Sequence, residues 1–146
     1  MIAYMDASAL VKRYVAERWA EETREFCAKA EVVATSVVSR AEVGAALAKA
    51  VRLGAVQDEA ARKAQAAFAR DWPDFARIRV TEALVALAGT LALEHALRGY
   101  DAVQLAAALS WQESIGTPIT LAAFDRQLWE AGKKVDLQVW PEALLS

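Results

Sequence analysis

The first ten residues, MIAYMDASAL, run from an apolar stretch directly into a carboxylate and then into a helical pattern. A strand with no polar position before its last residue is typical of the central strands of a parallel α/β sheet, which are covered on both faces. Asp6 would then lie at the carboxyl end of this strand, the edge at which open α/β sheets bind ligands. We therefore predict a fold built around this strand.

Further strands alternate with helical patterns along the rest of the chain. Strands are predicted at residues 31–35, 76–80, 118–122 and 137–140, and helices at 9–16, 19–29, 39–53, 57–72, 81–97, 101–115 and 125–131. Such alternation implies parallel pairing through right-handed crossovers, with helices on both faces. We predict an α/β fold, a three-layer α/β/α sandwich around a mostly parallel sheet of five strands, with residues 76–80 near an edge and residues 1–146 forming one domain.

Composition narrows the classes of function. Hydrophobic residues make up 56% of the 146 residues, and much of this excess is alanine on helices, so we expect residues 7–30 and 43–69 to meet a partner. The net charge of -2 offers no global attraction for nucleic acid, so such binding would need a local basic surface. No signal peptide is recognisable, and the apolar run at residues 83–93 is too short to span a bilayer. Cys27, the lone cysteine, suits a reducing cytoplasm as a buried thiol.

Four acids lie where an apolar element gives way to a helix: Asp6, Glu42, Asp101 and Asp125. Each could have a purely structural role. Ser39 and Glu42 have the spacing of a capping box, and on spacing alone this capping role is favoured over a functional role for Glu42. The three aspartates could likewise cap helices. Acids brought together at helix N-termini would nevertheless repel one another, and a hard divalent cation would relieve that repulsion. Oxygen ligands favour magnesium or manganese, and the chain has no Cys/His cluster for zinc.

No second catalytic motif is evident in the rest of the sequence. A ribonuclease that uses the 2′-hydroxyl normally needs a general acid and a general base, often histidines, whereas His95 is the only histidine and is predicted to pack or face solvent. The glycines are scattered singly and form no phosphate-binding loop. Most of the five tryptophans are expected to pack in the core or at an interface. One or two divalent ions at the acids would instead suit phosphodiester hydrolysis.

The order and spacing of four segments resemble those of PIN-domain nucleases, specifically the VapC toxins of prokaryotic type II toxin-antitoxin pairs. The segments are MDASALVK at residues 5–12, SVVSRAEV at 36–43, LRGYDAVQLA at 97–106 and FDRQL at 124–128. The resemblance spans nearly the whole chain, and the third segment is the most specific. One departure is Ala123, where family members often carry a hydroxyl residue two positions before the last acid.

The resemblance implies a central first strand and the binding of Mg²⁺ or Mn²⁺ by the four acids. It also implies an RNA substrate, a small cognate antitoxin and a homodimer. Ser8 and Ser36 match small polar positions that could orient a carboxylate or water, and three arginines flank the acids as candidates for RNA phosphate: Arg40, Arg98 and Arg126.

The resulting expectation is a metal-dependent endoribonuclease that acts as a toxin and leaves a 5′-phosphate and a 3′-hydroxyl. One alternative is a catalytically silent PIN module that binds RNA or protein. Another is a phosphate-accepting signalling domain, which is weakened because Asp6 has no acid beside it in the sequence.

Overall fold

The computed structural model describes residues 1–144 and contains a five-stranded sheet in which every neighbouring pair is parallel. The strand order is β3-β2-β1-β4-β5, so β1 is central and β3 is at an edge, both as expected. The bounds of the strands are β1 Ile2–Met5, β2 Val32–Ser36, β3 Ala76–Ile78, β4 Thr120–Ala122 and β5 Gln138–Trp140.

Helices cover both faces of this sheet and make the predicted α/β/α sandwich. Their bounds are α1 Ala7–Lys12, α2 Ala20–Lys29, α3 Ser39–Arg52, α4 Asp58–Asp71, α5 Glu82–His95, α6 Gly99–Ile115 and α7 Arg126–Lys134, with a 3-10 turn at Trp72–Asp74. Alternate side chains of β1 enter different cores because successive strand residues point to opposite faces. Tyr4 lies in the core beneath α5, α6 and α7, whereas Ala3 and Met5 lie in the core beneath α1 to α4.

The junction between α5 and α6 differs from the prediction in a way that affects the site. The sequence predicts that the helix runs to Leu97 and ends at Gly99, but α5 already ends at His95, where Ala96 takes a left-handed conformation with φ 53°. Arg98 is extended and precedes α6, whose first residue is Gly99. Asp101 is therefore the third residue of α6, and its interpretation as an N-cap was wrong.

Most of the large apolar side chains that are exposed lie outside the two segments predicted to meet a partner. The segments 7–30 and 43–69 contain a single strongly exposed large hydrophobic side chain, Leu53, and the rest of their exposed apolar surface is alanine. By contrast α5 is apolar nearly all round and leaves Val85 48% exposed and Leu93 88% exposed. An apolar groove between α5 and α6 has a volume of about 300 Å³ and is lined by residues including Val85, Gly89 and Tyr100.

No helix among the described residues is long and apolar enough to cross a membrane. Cys27 is a free, half-buried thiol whose Sγ lies 3.4 Å from the Met5 sulfur, and burial raises its pKa.

Candidate active site

Asp6 lies where β1 meets α1, and its carboxylate is nearly enclosed, with 4% of the residue exposed. It caps α1 by accepting a hydrogen bond from the Ala9 backbone N–H at 3.0 Å. The Ser8 hydroxyl lies 2.6 Å from Asp6 Oδ1, and Ser8 Oγ in turn accepts the Phe124 backbone N–H at 2.9 Å. Ser8 thus joins the acid at the end of β1 to the loop before α7.

Glu42 lies in the first turn of α3, but it forms no capping box. The N-cap of this helix is Val38, with no side-chain capping bond, and Ser39 is completely buried. Glu42 Oε1 instead accepts a 2.6 Å hydrogen bond from Gln104 Nε2 on α6. The capping-box interpretation was therefore wrong, because both side chains are used in tertiary contacts.

Gln104 lies at the centre of a buried polar network that spans β1, α3 and α6. Its Oε1 accepts the Tyr4 hydroxyl at 2.6 Å, and its Nε2 also donates to Ser39 Oγ at 2.9 Å. Gln104 is 1% exposed and Tyr4 is fully buried. A buried amide with all of these partners is fixed in orientation.

Thr35 completes the network on the β2 side. Its hydroxyl donates to the Met5 carbonyl oxygen at 2.6 Å and lies 2.7 Å from Ser39 Oγ. Because a hydroxyl carries a single hydrogen, Ser39 must be the donor in its contact with Thr35 and the acceptor from Gln104. The end of β1 is thus tied to α3 through two buried hydroxyls.

Arg98 connects the remaining two acids. Its Nε donates to Asp101 Oδ2 at 3.1 Å, and its Nη2 donates to Asp125 Oδ2 at 2.9 Å. Asp125 is the N-cap of α7, as one interpretation of the sequence predicts, and accepts the Leu128 backbone N–H at 3.0 Å. The Arg98 side chain is 72% exposed, so both of its ion pairs face solvent and cost little free energy to break.

The electrostatics of the cluster reflect crowding and burial. Burial raises the pKa of Asp6 to about 7, opposed by its bonds to Ser8 and Ala9 and reinforced by the charges of Glu42 and Asp101. The pKa of Glu42 is also raised, mainly by burial and further by Asp101, against the hydrogen bond from Gln104. Removing the negative charges or adding a cation would therefore stabilise this edge.

The pKa of Asp101 is raised as well, first by burial and then by Asp125. Arg98 acts in the opposite direction without overcoming burial. Arg98 lowers the pKa of Asp101 only weakly because solvent screens the charge of an exposed guanidinium.

The other predicted residues are placed differently from one another. Ser36 is completely buried, and its Oγ accepts the Val38 backbone N–H at 3.3 Å. Arg40 is exposed in the first turn of α3, with its guanidinium 5.6 Å from the centre of the Trp72 ring. Arg126 is exposed and donates to the Leu144 carbonyl oxygen at 2.8 Å.

The acids fit a divalent cation by their chemistry but do not surround one as they stand. Within residues 1–144, no three His, Cys, Asp or Glu side chains converge closely enough to hold an ion. The donor set does suit a hard cation, since every candidate ligand is a carboxylate. Asp6 is a buried carboxylate that forms no ion pair with any residue of this described range, so a bound cation would stabilise its ionised form.

Sequence reasoning missed the residues that hold the acids in place, above all Gln104. The signal was present: Gln104 lies three residues after Asp101, and it is the one polar position in the stretch 102–109 of α6. Residues three apart on a helix share a face, so the acid and the amide face the same edge. Tyr4 could not be found in this way, because its partner is a hundred residues away in the chain.

Comparison with known proteins agrees with this architecture. The central strand ending in a buried acid, with further acids at the same edge, is the arrangement of an α/β protein with a carboxylate site at the end of its parallel strands. The model of the PIN-domain family matches residues 3–134. The chain belongs to the PIN-domain family, within its VapC group.

Two curated relatives place it in that group. They are named ribonuclease VapC45, from Mycobacterium tuberculosis strain CDC 1551 / Oshkosh, and ribonuclease VapC49, from strain ATCC 25618 / H37Rv. Each is 33% identical to this chain over 148 aligned positions, which cover 98% of this chain and 97% of the relative.

Solved structures show the same fold at lower identity. PAE2754 from Pyrobaculum aerophilum superposes with a TM-score of 0.63 at 24% identity, covering 94% of this chain and 83% of that one. VapBC2 from Rickettsia felis, solved with a DNA fragment from its promoter, gives a TM-score of 0.62 at 15% identity, covering 95% and 97%.

Proposed function

We propose that this protein is a metal-dependent endoribonuclease and the toxin of a toxin-antitoxin pair. The observation that carries the proposal is Asp6, a buried carboxylate without a cationic partner among the described residues, in a cluster with Glu42 and Asp101. The 33% identity to two proteins named as ribonucleases supports RNA as the substrate.

Asp6, Glu42 and Asp101 would hold Mg²⁺ or Mn²⁺, with Asp125 at the margin. When bound, the cation supplies positive charge that activates water and stabilises the leaving oxygen of a phosphodiester. Hydrogen bonds within the chain orient these ligands before a cation binds: Ser8 and the Ala9 N–H orient Asp6, and Gln104 orients Glu42. Arg98 pairs with Asp101 and Asp125 in the ion-free protein, and a cation would compete with it for the charge of Asp101.

Arginines beside the acids would bind the RNA backbone. Arg40 and Arg98 are both exposed and come two and three residues before Glu42 and Asp101, so both are candidates to bind a phosphate held at the cluster. Arg126 is the weaker candidate because its guanidinium bonds to Leu144. Attack by water leaves a 5′-phosphate and a 3′-hydroxyl, and the 2′-hydroxyl has no chemical part.

The direct test is to incubate the purified, antitoxin-free protein with total RNA, with and without Mn²⁺, and to map the ends produced. We expect cleavage that needs the metal and leaves 5′-phosphates. Binding of RNA without cleavage at any Mn²⁺ concentration would instead favour the catalytically silent PIN module.

The partners proposed are a small antitoxin and a second copy of the chain, in the cytoplasm. The apolar groove between α5 and α6 supports the second copy, because it combines a floor of small residues with exposed apolar side chains on the same patch. A two-fold interface requires both features on one surface. For the antitoxin we propose a helix bound in the groove between α3 and α4, whose lining includes the small residues Gly44, Ala48 and Ala61.

A charge placed in the α5–α6 groove should prevent pairing of the copies. Val85→Arg puts a guanidinium where an apolar side chain is 48% exposed, so we expect the dimer to weaken at least ~10-fold in sedimentation. Leu53→Arg is the matched control, because Leu53 is 70% exposed and lies outside that groove. Wild-type protein that sediments as a monomer at micromolar concentration would rule out this interface.

Among the acids, Asp125 should tolerate loss of charge best. In Asp125→Asn the new amide would still cap α7, since both side chains can accept the Leu128 N–H, and the site would lose only an acid paired with exposed Arg98. We expect this variant to retain RNA cleavage within about tenfold, corresponding to roughly 1.4 kcal/mol. Asp125→Ala should additionally lower thermal stability by ~1 kcal/mol. A loss of cleavage as severe as that of Asp101→Asn would overturn this ranking.

A further inference from the structure

The carboxylate of Glu42 is held by an amide that is itself fully constrained. Gln104 has partners on both ends of its carboxamide: Tyr4 donates to Oε1, and Nε2 donates to Ser39 and Glu42. Turning the amide by 180° would bring its oxygen against the ionised Glu42 carboxylate and leave Nε2 facing the Tyr4 hydroxyl. The observed orientation is therefore the one compatible with an ionised Glu42.

The network also engages one carboxylate oxygen of Glu42 in a hydrogen bond and leaves the other oxygen without one among residues 1–144. Oε1 accepts the 2.6 Å bond from Gln104, whereas Oε2 accepts no hydrogen bond from a side chain or backbone group of residues 1–144. A carboxylate anchored through one oxygen on a buried, rigid partner presents the second oxygen in a fixed direction. Partners that orient the ligands of a metal in this way commonly change metal affinity by about 10–100-fold.

We propose that Gln104 is a positioning residue that fixes the Glu42 carboxylate for cation binding, with Tyr4 locking the orientation of the Gln104 amide. Gln104 itself touches neither cation nor RNA in this proposal, which rests on the proposed function. Its role is to remove the rotational freedom that the side chain of Glu42, half-buried in the first turn of α3, would otherwise keep.

The test is Mn²⁺ affinity of the full chain, measured by electron paramagnetic resonance of free Mn²⁺ and by the Mn²⁺-dependent rise in melting temperature. Gln104→Met keeps the length of the side chain and removes its hydrogen bonds, and we expect it to weaken Mn²⁺ binding ~10-fold. Tyr4→Phe removes only the lock on the amide and should weaken binding ~3-fold, a smaller effect than loss of the amide itself. It also provides a second measurement if Gln104→Met does not fold.

A matched control is available on the same helix. Gln112 also uses its amide, accepting the Ile119 backbone N–H at 3.0 Å, but it contacts none of the acids. Gln112→Met should lower the melting temperature and leave Mn²⁺ affinity unchanged. A merely structural role for Gln104 would make the two variants behave alike.

A double-mutant cycle isolates the path through Glu42. In a Glu42→Gln background, Gln104→Met should change Mn²⁺ affinity by less than ~2-fold, because the group it positions is already gone. An undiminished effect of Gln104→Met in that background would overturn this inference and leave the proposed function standing. The same conclusion would follow if Gln104→Met and Tyr4→Phe both bound Mn²⁺ as wild type does. Wild-type protein that binds no Mn²⁺ would instead overturn the proposed function, and this inference with it.

Discussion

Asp101→Asn should abolish most RNA cleavage while leaving the metal-free protein as stable as wild type or more so. If the proposed function holds, the substitution deletes one negative charge beside the bound dication in a site that is partly closed to water, where electrostatic interactions are strong. Loss of a stabilising group of this kind costs ~3 kcal/mol or more of transition-state energy, which corresponds to a rate loss of about a hundredfold or greater.

The metal-free fold should not suffer, because the structure gives Asp101 no capping role. It is the third residue of α6, and its one side-chain bond within residues 1–144 is to the exposed Arg98. Burial and Asp125 raise its pKa, so the ionised carboxylate is unfavourable where it lies. Removal of its charge relieves repulsion within the cluster and leaves Arg98 with Asp125.

The experiment needs cleavage rates in Mn²⁺ and melting temperatures in EDTA for the same preparations. Asp58→Asn is a suitable control, because Asp58 is also in the first turn of a helix and paired with an arginine, Arg62, but is exposed and makes no hydrogen bond to the acid cluster. It should change neither cleavage nor, by more than ~1 kcal/mol, stability. Cleavage by Asp101→Asn within a few-fold of wild type would remove Asp101 from the proposed ligands.

The fold was largely predictable because the strand signals are local. Short strand patterns that alternate with helices allow few architectures, and the first strand, the most apolar of the five, is central as expected. The acids were predictable as a set for the same reason, since each lies at the N-cap or in the first turn of a helix. Their partners were not. The capping-box spacing of Ser39 and Glu42 is a local signal that tertiary contacts with Gln104 override.

Helix ends were the least predictable feature of the site. Gly99 has the local signature of a helix terminator, but the chain turns earlier, at Ala96, a residue type that rarely adopts a left-handed conformation. That early turn lets α6 begin two residues before Asp101 and places Arg98 beside both Asp101 and Asp125. The bridging role of Arg98 follows from this geometry and has no signature in the sequence.

Asp6 should make the stability of the metal-free protein fall as pH rises. Its pKa is about 7 in the folded state, against an ordinary value of 3.8, so between these values the folded protein holds a proton that the unfolded chain has released. Stability is therefore greatest near the lower value, declines through the interval and is lowest above pH 7. A difference of about three pKa units corresponds to roughly 4 kcal/mol. Glu42 and Asp101 act in the same direction, because their pKa values are also raised.

Denaturant unfolding in EDTA, from about pH 4.5 to about pH 8, measures this decline directly. Asp6→Asn should flatten the profile and be more stable than wild type above pH 7, since asparagine keeps the cap on the Ala9 N–H and carries no buried charge. A wild-type profile that is flat or rises over this interval would show that Asp6 ionises as an ordinary aspartate.

Mn²⁺ should make wild type more stable than Asp6→Asn, the reverse of their order in EDTA. A ligand that binds the folded state stabilises it, and the gain grows with the ratio of ligand concentration to Kd. Only wild type keeps the negative charge that binds the cation. Wild type should therefore gain stability above about pH 7, while Asp6→Asn gains little. The gain should disappear toward about pH 5, where Asp6 is protonated and the cation must displace a proton. The buried charge that weakens the empty fold is on this account the same charge that holds the metal, so one residue should link the stability of the protein to its activity.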